Sequence, residues 1–448
     1  MGNHHVIVLL FTMMMMMMAS NGVENELREV GIGVILDMDS NVGRSTRICI
    51  LMALEDFYGA RHNNFTTIIH PHFRDSKFDN FRAASAAIDL RKNTQVIAFF
   101  GPQQSSQAHF VLDIANTFKL PVISPATTQN SSTQAEPIAA LIKSFGWTEV
   151  VFVFEDTDFG RGPIPYLFDA MGNIGTRVKY CTLLSPSSSD NTLMEQVYKL
   201  KTTKTRVFVV HMLPALASRF FRKAYELGMM APGYAWIITD VLTGFLSHLD
   251  PQDLDYMQGV LGVKPYIPPS NHLTSFERKW RTRFHKEYPN MPRIELDMFG
   301  IWSYDSISAL AAALQRIENE PSTNTKIHDL AAIEISQLGS KLLPLIQNTR
   351  IKGLSGDFHV VNGQLQTSAY QIVNVIGNGE KHIGFWNPMT GLSKQTRNNQ
   401  KLDYTTSKDI LKAIIWPGDT PKIPEGWDNK KLRVGVPALR GFVEFMEA

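Results

Sequence analysis

From residue 31 to about residue 240, short and uniformly apolar runs alternate with longer stretches whose apolar positions recur every three or four residues. The runs are Gly31–Leu36, Thr66–His70, Val96–Phe100, Pro121–Ser124, Val150–Phe154, Val207–Val210 and Trp236–Ile238. They are β-branched and aromatic, and apolar on both faces, as strands buried on both sides of a parallel sheet are. Residues 81–92, 104–118 and 215–227 have the period of amphipathic helices; in the last, Leu216, Phe220, Ala224 and Leu227 share one face. The sustained alternation predicts an α/β fold of doubly wound parallel sheets.

Beyond residue 265 the pattern changes. A Pro-rich crossover precedes a helix carrying Phe276, Trp280, Phe284 and Tyr288 four residues apart, an aromatic stripe that predicts core packing. A second helix runs from Trp302 to Ile317 with Ile307, Leu310, Leu314 and Ile317 on one face. Residues 353–377 read as a hairpin with "VNGQ" as its turn and "FHVV" and "AYQIVNVI" as its strands. Residues 390–430, rich in Lys, Asn, Thr and Pro, read as a linker.

Composition narrows the class. A chain of 448 residues is long for one core, which favours two or three lobes. A net charge of +2 gives no reason to expect nucleic acid or an anionic membrane surface as partner. The two cysteines, Cys49 and Cys181, are too few for a disulfide framework or a metal site and are expected as reduced thiols, one long-range disulfide being the alternative. Val6–Met18 has the length of a signal-peptide core, with small residues at Ser20 and Gly22, so residues 1–22 are read as a secretory signal. No later run approaches the roughly 20 apolar residues of a membrane helix. Sequons at Asn64 and Asn130 suit a secreted, glycosylated route.

Few motifs carry chemistry. "GIG" at Gly31–Gly33 lacks the third glycine of a dinucleotide fingerprint and lies inside a strand. "HPH" at His70–His72 reads as a strand-end turn rather than a ligand pair. With no nucleophile–base, Walker A or zinc pattern, neither an enzyme nor a cofactor is expected. Two strand ends stand out. "GPQQSSQA" (Gly101–Ala108) follows a strand and opens a helix, placing Ser105 and Ser106 where backbone N–H groups favour an anion, or where serine merely caps the helix. "VISPATT" (Val122–Thr128) brings further hydroxyls to a strand's carboxyl end, where ligands of open α/β sheets bind.

Blocks such as "GVILDMDSNVGRSTRICILMALEDFY", "FFGPQQSSQAHF", "FGWTEVVFVFEDTDFGRGPIPYLFDAMG", "FGIWSYDSISALAAAL" and "FHVVNGQL", in this order, resemble the amino-terminal domain of plant glutamate receptor-like channels. That domain is a receptor-family ligand-binding region, similar to type I periplasmic amino-acid-binding proteins. The resemblance implies a two-lobed clamshell, with residues 29–127 and 266–350 in lobe one and 128–265 and 351–389 in lobe two. It implies ligand contacts in the interlobe cleft from Ser105, Ser106, Ser124, Ala126 and Thr127 of lobe one, and from Asp156, Phe159 and Asp240 of lobe two. An amino acid or similar small polar molecule is the implied ligand, and other receptor subunits are the implied partners through lobe one. The chain would then lie on the extracellular side of the plasma membrane as the sensor of a ligand-gated cation channel. The alternatives are a secreted soluble binding protein and a non-binding assembly domain. The family usually carries a longer segment where this chain has "ATTQNSSTQAEPIAALIKSFGW", so the first crossing is shortened. Residues 431–448, "KLRVGVPALRGFVEFMEA", resemble the first strand of the family's next module, cut before its agonist contacts and before the pore.

Overall fold

The computed structural model describes residues 28–59, 65, 67–124, 132–291, 294–317, 337–361, 363–365, 367, 369–395 and 410–427. The signal segment, Asn64, Asn130, Ala126, Thr127 and the tail at 431–448 lie outside the described residues. The chain divides into two compact units: Met1–Ser131, Thr157–Gly162 and Tyr266–Ser368 form the first, and Ser132–Asp156, Pro163–Pro265 and Ala369–Ala448 the second.

The first unit opens with β1 (Arg28–Leu36), β2 (Thr67–Asp75), β3 (Phe99–Phe100) and β4 (Val122–Ile123), a parallel sheet in the order β2-β1-β3-β4. The central strand β1 buries both faces. Val30, Ile32, Val34 and Leu36 of β1 share a core with the helices Asn41–Gly59, Asn271–Glu287 and Met298–Ile317. Ile35 joins the helices Asn80–Thr94 and Ser105–Phe118 in another. Glycine at position 33 lets Leu90 and Phe99 approach the strand, since a Cβ there would lie 2.9 Å from both side chains. The "GIG" element is thus strand packing. The aromatic stripe is core: Phe276, Trp280 and Phe284 are buried, and Tyr288, just past the helix, packs on Phe284 at 5.1 Å.

The second unit continues with β5 (Glu149–Glu155), β6 (Arg177–Leu184), β7 (Val207–His211), β8 (Ala235–Ile238) and β9 (Leu261–Pro265), all parallel. Val151 and Val153 of β5 enter the core made with helices Asp190–Lys201 and Pro214–Glu226. Val150, Phe152 and Phe154 enter the opposite one, with helices Ser132–Ser144 and Ile164–Asn173. Burying each such side chain contributes about 1.5–3 kcal/mol.

The chain then returns to the first unit for β10 (Arg350–Gly353), β11 (Gly356–Val361) and β12 (Gln364–Leu365), before β13 (Tyr370–Ile376), β14 (Gly379–Asn387) and β15 (Gly391–Ser393) complete the second. The second unit's sheet runs β15-β14-β13-β9-β8-β7-β5-β6. Two expectations are corrected here. The "VNGQ" turn joins β11 to the short β12, whereas "AYQIVNVI" pairs with β9 and β14. Residues 351–368 accordingly cluster with the first unit, where the sequence reading had put them in lobe two.

The second correction concerns residues 390–430. Their polar composition suggested a linker, yet β15 extends the sheet and residues 410–427 form a strap packed on the second unit. Trp416 is 1% exposed and packs against Phe145 and Trp147 at 5.2 and 5.7 Å. Buried Asn374 of β13 reads the strap's backbone with both ends of its amide, accepting from Ile415 N at 2.9 Å and donating to Ile415 O at 3.0 Å. Trp147 Nε1 donates to Pro424 O at 2.8 Å, and Arg206 N to Gly426 O at 2.9 Å. Backbone polarity that a linker would spend on water is satisfied here by protein.

Candidate functional site

In the first unit the strand order reverses between β1 and β3, so the crevice at their carboxyl ends is the place where open α/β sheets bind ligands. The loop after β3 is tightly built. Gly101 has φ +91°, and a Cβ on it would fall 2.1 Å from Ile35 O, so only glycine fits. Gly101 N donates to Ile123 O at 2.8 Å, and Ser124 Oγ donates to Pro102 O at 2.7 Å, tying the ends of β3 and β4 together. Ser105 and Ser106 begin the helix that follows, and its cap residue, Gln104, makes no side-chain bond to the first turn. The backbone N–H groups of a helix N-terminus favour a carboxylate.

Around this loop, Gln103 Oε1 accepts from Asp37 N at 3.0 Å, and Asp75 Oδ1 accepts from Met38 N at 3.1 Å. Asp37 is buried, and its carboxyl is raised above the usual range by desolvation, with Asp75 and Asp39 adding repulsion. Its neighbour Ser40 caps the next helix by accepting from Gly43 N at 2.9 Å.

In the second unit the carboxyl ends of β5, β7 and β8 carry a polar set within apolar walls. Glu155, 2% exposed, accepts from Leu213 N at 2.8 Å. His211 and Thr239, both fully buried, are 2.7 Å apart between ring Nδ1 and Oγ1. Gln134 Oε1 accepts from Asp240 N at 3.0 Å, and Asp240 Oδ1 accepts from Val241 N at 2.7 Å. Desolvation pushes the Asp240 carboxyl up to about 6, against the lowering effect of those bonds. A carboxyl poised there, at a strand end, marks a functional-site candidate.

Of the residues singled out in the sequence, Ser105, Ser106 and Ser124 gather at the strand ends of the first unit. Asp156 and Asp240 lie at strand ends of the second, Asp156 exposed with its N–H given to Leu184 O at 2.8 Å. Phe159 is a correction. It sits on the short helix Asp158–Arg161, which packs against the helix Ser105–Phe118 and belongs to the first unit, not to lobe two. Glu155, His211 and Asp37 were missed, and so was Gln134 on the helix Ser132–Ser144; single polar residues at the ends of apolar strands give no periodic signal, although a strand ending in a charged residue is a hint. Among the described residues no group of three His, Cys, Asp or Glu could hold a metal ion. Both thiols are free, Cys49 buried and Cys181 partly so, and burial raises both.

The fold is that of the type I periplasmic binding proteins. A leucine-binding protein from Thermotoga maritima superposes with a TM-score of 0.61 at 17% identity, covering 80% of this chain and 99% of its own. Residues 46–378 match the receptor family ligand binding region, and the chain belongs to that family. Glutamate receptor 2.2 of Arabidopsis thaliana is 40% identical over 457 residues, and glutamate receptor 2.3 of the same plant 38%, each alignment taking in 96% of this chain. Those alignments cover 49% and 50% of the two receptors, so the chain spans about half the length of the curated relatives it matches. The resemblance to plant glutamate receptor-like proteins therefore holds. No described helix is long and apolar enough to cross a membrane.

Proposed function

We propose that this chain is the extracellular ligand-sensing region of a glutamate receptor-like cation channel, binding an amino acid or similar small polar molecule, without enzymatic activity. The family match over residues 46–378 carries this reading, and the relatives' names point to glutamate receptors. The chemistry at the strand ends suits such a ligand. Each unit, taken by itself, has a strand-end group of suitable chemistry: in the first, the helix start at Ser105 and Ser106 offers N–H donors for a carboxylate, and in the second, Asp240 offers an acceptor for an ammonium group. Binding would act by stabilising the conformation that holds ligand better.

A thermal-shift screen against the twenty amino acids tests this. A ligand at 100 times its Kd adds about 2.7 kcal/mol of stability, a rise of a few degrees in Tm. At least one member is expected to raise Tm; no shift at millimolar concentrations would count against a working site. One observation favours the assembly reading as second. Phe78, Phe81 and Phe110 are 57%, 79% and 42% exposed on the first unit, with Phe81 and Phe110 rings 6.3 Å apart. Exposed aromatic clusters of this kind mark contact surfaces. A flat screen combined with concentration-dependent self-association, abolished by Phe81→Glu in sedimentation, would select it.

A further inference from the structure

We propose that His382 is a pH-sensitive latch, holding the strap of residues 410–427 against β14 at neutral pH and releasing its leading residues on acidification. The strap first meets the sheet where Lys412 N donates to Ile383 O at 2.8 Å and where the Leu411 side chain lies over Gly384. Beyond Asn387 and its two predecessors, which pair with β15, this stretch of β14 has no strand on its outer side among the described residues. The strap covers that edge.

His382 sits beside this contact with its ring 4.2 Å from Phe385, and among the described residues neither ring nitrogen has a hydrogen-bond partner although both are shut off from solvent. A neutral imidazole tolerates that setting at a cost; an imidazolium, with two N–H donors and a charge, does not. The charged group facing it is Lys412 of the strap. Its partner across β13 is the apolar Val373, and on its own strand Glu380 is held by Lys264 of β9. Burial, and then Lys412, lower the His382 pKa below the usual 6.5. The sign follows. An open strap takes up the proton more readily than a closed one, so closure is complete above about pH 6.5 and weakens as pH falls toward the lowered value.

Protonation would therefore be relieved by moving Leu411 and Lys412 away from β14. The Asn374–Ile415 bonds and the Trp416 packing lie further along the strap and are not contacts of His382, which confines the effect to the leading residues. No group in this latch belongs to the strand-end sites proposed for ligand.

Hydrogen exchange of the whole chain, corrected for intrinsic rates, tests it at pH 7.5 and pH 5.0. Protection of the Lys412 amide is expected to fall severalfold at the lower pH, in the direction that the lowered His382 pKa sets, while amides of β7 and β8 keep theirs. In His382→Gln the loss should disappear. Equal protection at both pH values in the wild type, the same loss in His382→Gln, or a loss shared by β7 and β8 would each overturn the latch. Should His382→Gln fail to fold, His382→Phe keeps a ring against Phe385 without a titrating group, and the same outcomes apply.

Discussion

Trp416→Ala is expected to lower the unfolding free energy of the second unit by about 3–5 kcal/mol, the range for losing a fully buried aromatic side chain. The indole is 1% exposed and is held between Phe145 and Trp147, themselves 4.8 Å apart. Its backbone is pressed on Gly259, where a Cβ would come 2.3 Å from Pro417 N, so the strap cannot settle inward to fill the cavity. Among the described residues Trp416 Nε1 has no hydrogen-bond partner, so the indole is held by packing. Trp416→Phe should therefore cost much less than alanine, because it keeps most of the aromatic contact and removes an unpaired donor. Urea unfolding followed by circular dichroism measures both. Equal stability of Trp416→Ala and wild type would mean that the strap is not part of the unit's core.

Asp305→Ala should have a similar effect on the first unit, about 3–5 kcal/mol, by a different route. Asp305 lies on the helix Met298–Ile317, fully buried, and accepts from Leu354 N at 2.6 Å, Ser355 N at 2.9 Å and Ser355 Oγ at 2.5 Å. The turn between β10 and β11 is thereby pinned to the helix. Burial raises the carboxyl's pKa while these bonds oppose the rise. Alanine would strand buried donors in a place that water reaches poorly, and the tight approach of Gly353, whose Cβ would fall 2.2 Å from Asp305, shows how little room there is. Chemical denaturation with a probe in the first unit reads the loss. Asp305→Asn should be intermediate, since it keeps one acceptor and turns a donor toward donors.

Much of this architecture was legible in the amino acids. β1, β5, β7 and β8 announce themselves as apolar runs because a parallel sheet covered on both faces demands it. β6 does not, because it is the edge of its sheet and leaves Tyr180 and Leu183 partly in solvent. β9 is masked by Gly262 and Pro265, residues that usually argue against a strand. The hairpin was misread for a topological reason: β11 and β13 are consecutive in pattern but serve different units, and only pairing partners far away in sequence decide that.

The strap escaped notice because its fixation rests on a single buried tryptophan and on scattered bonds to its backbone, such as those from Asn374 and Trp147, none of which has a period. Of the candidate site, the Gly101–Ser106 turn was read from strand-then-glycine spacing, Ser124 from hydroxyls at a strand's carboxyl end, and Asp240 from the resemblance. Phe159 was placed in the wrong unit because four residues of helix separate from the strand they follow. The buried pair His211 and Thr239 was invisible, since each sits at the end of an apolar run without a partner nearby in sequence.

The most direct test of the ligand-sensing account is a calorimetric titration with the amino acid that gives the largest thermal shift, at pH 7.5 and at pH 5.0, using wild type and Asp240→Asn. With the Asp240 carboxyl at about 6, wild-type affinity should fall roughly tenfold at the lower pH, as the acceptor for the ammonium group becomes protonated. Asp240→Asn should bind weakly at both values, with that dependence gone. A tight complex whose affinity ignores both pH and the Asp240 substitution would contradict the site, and no heat from any amino acid would contradict the function.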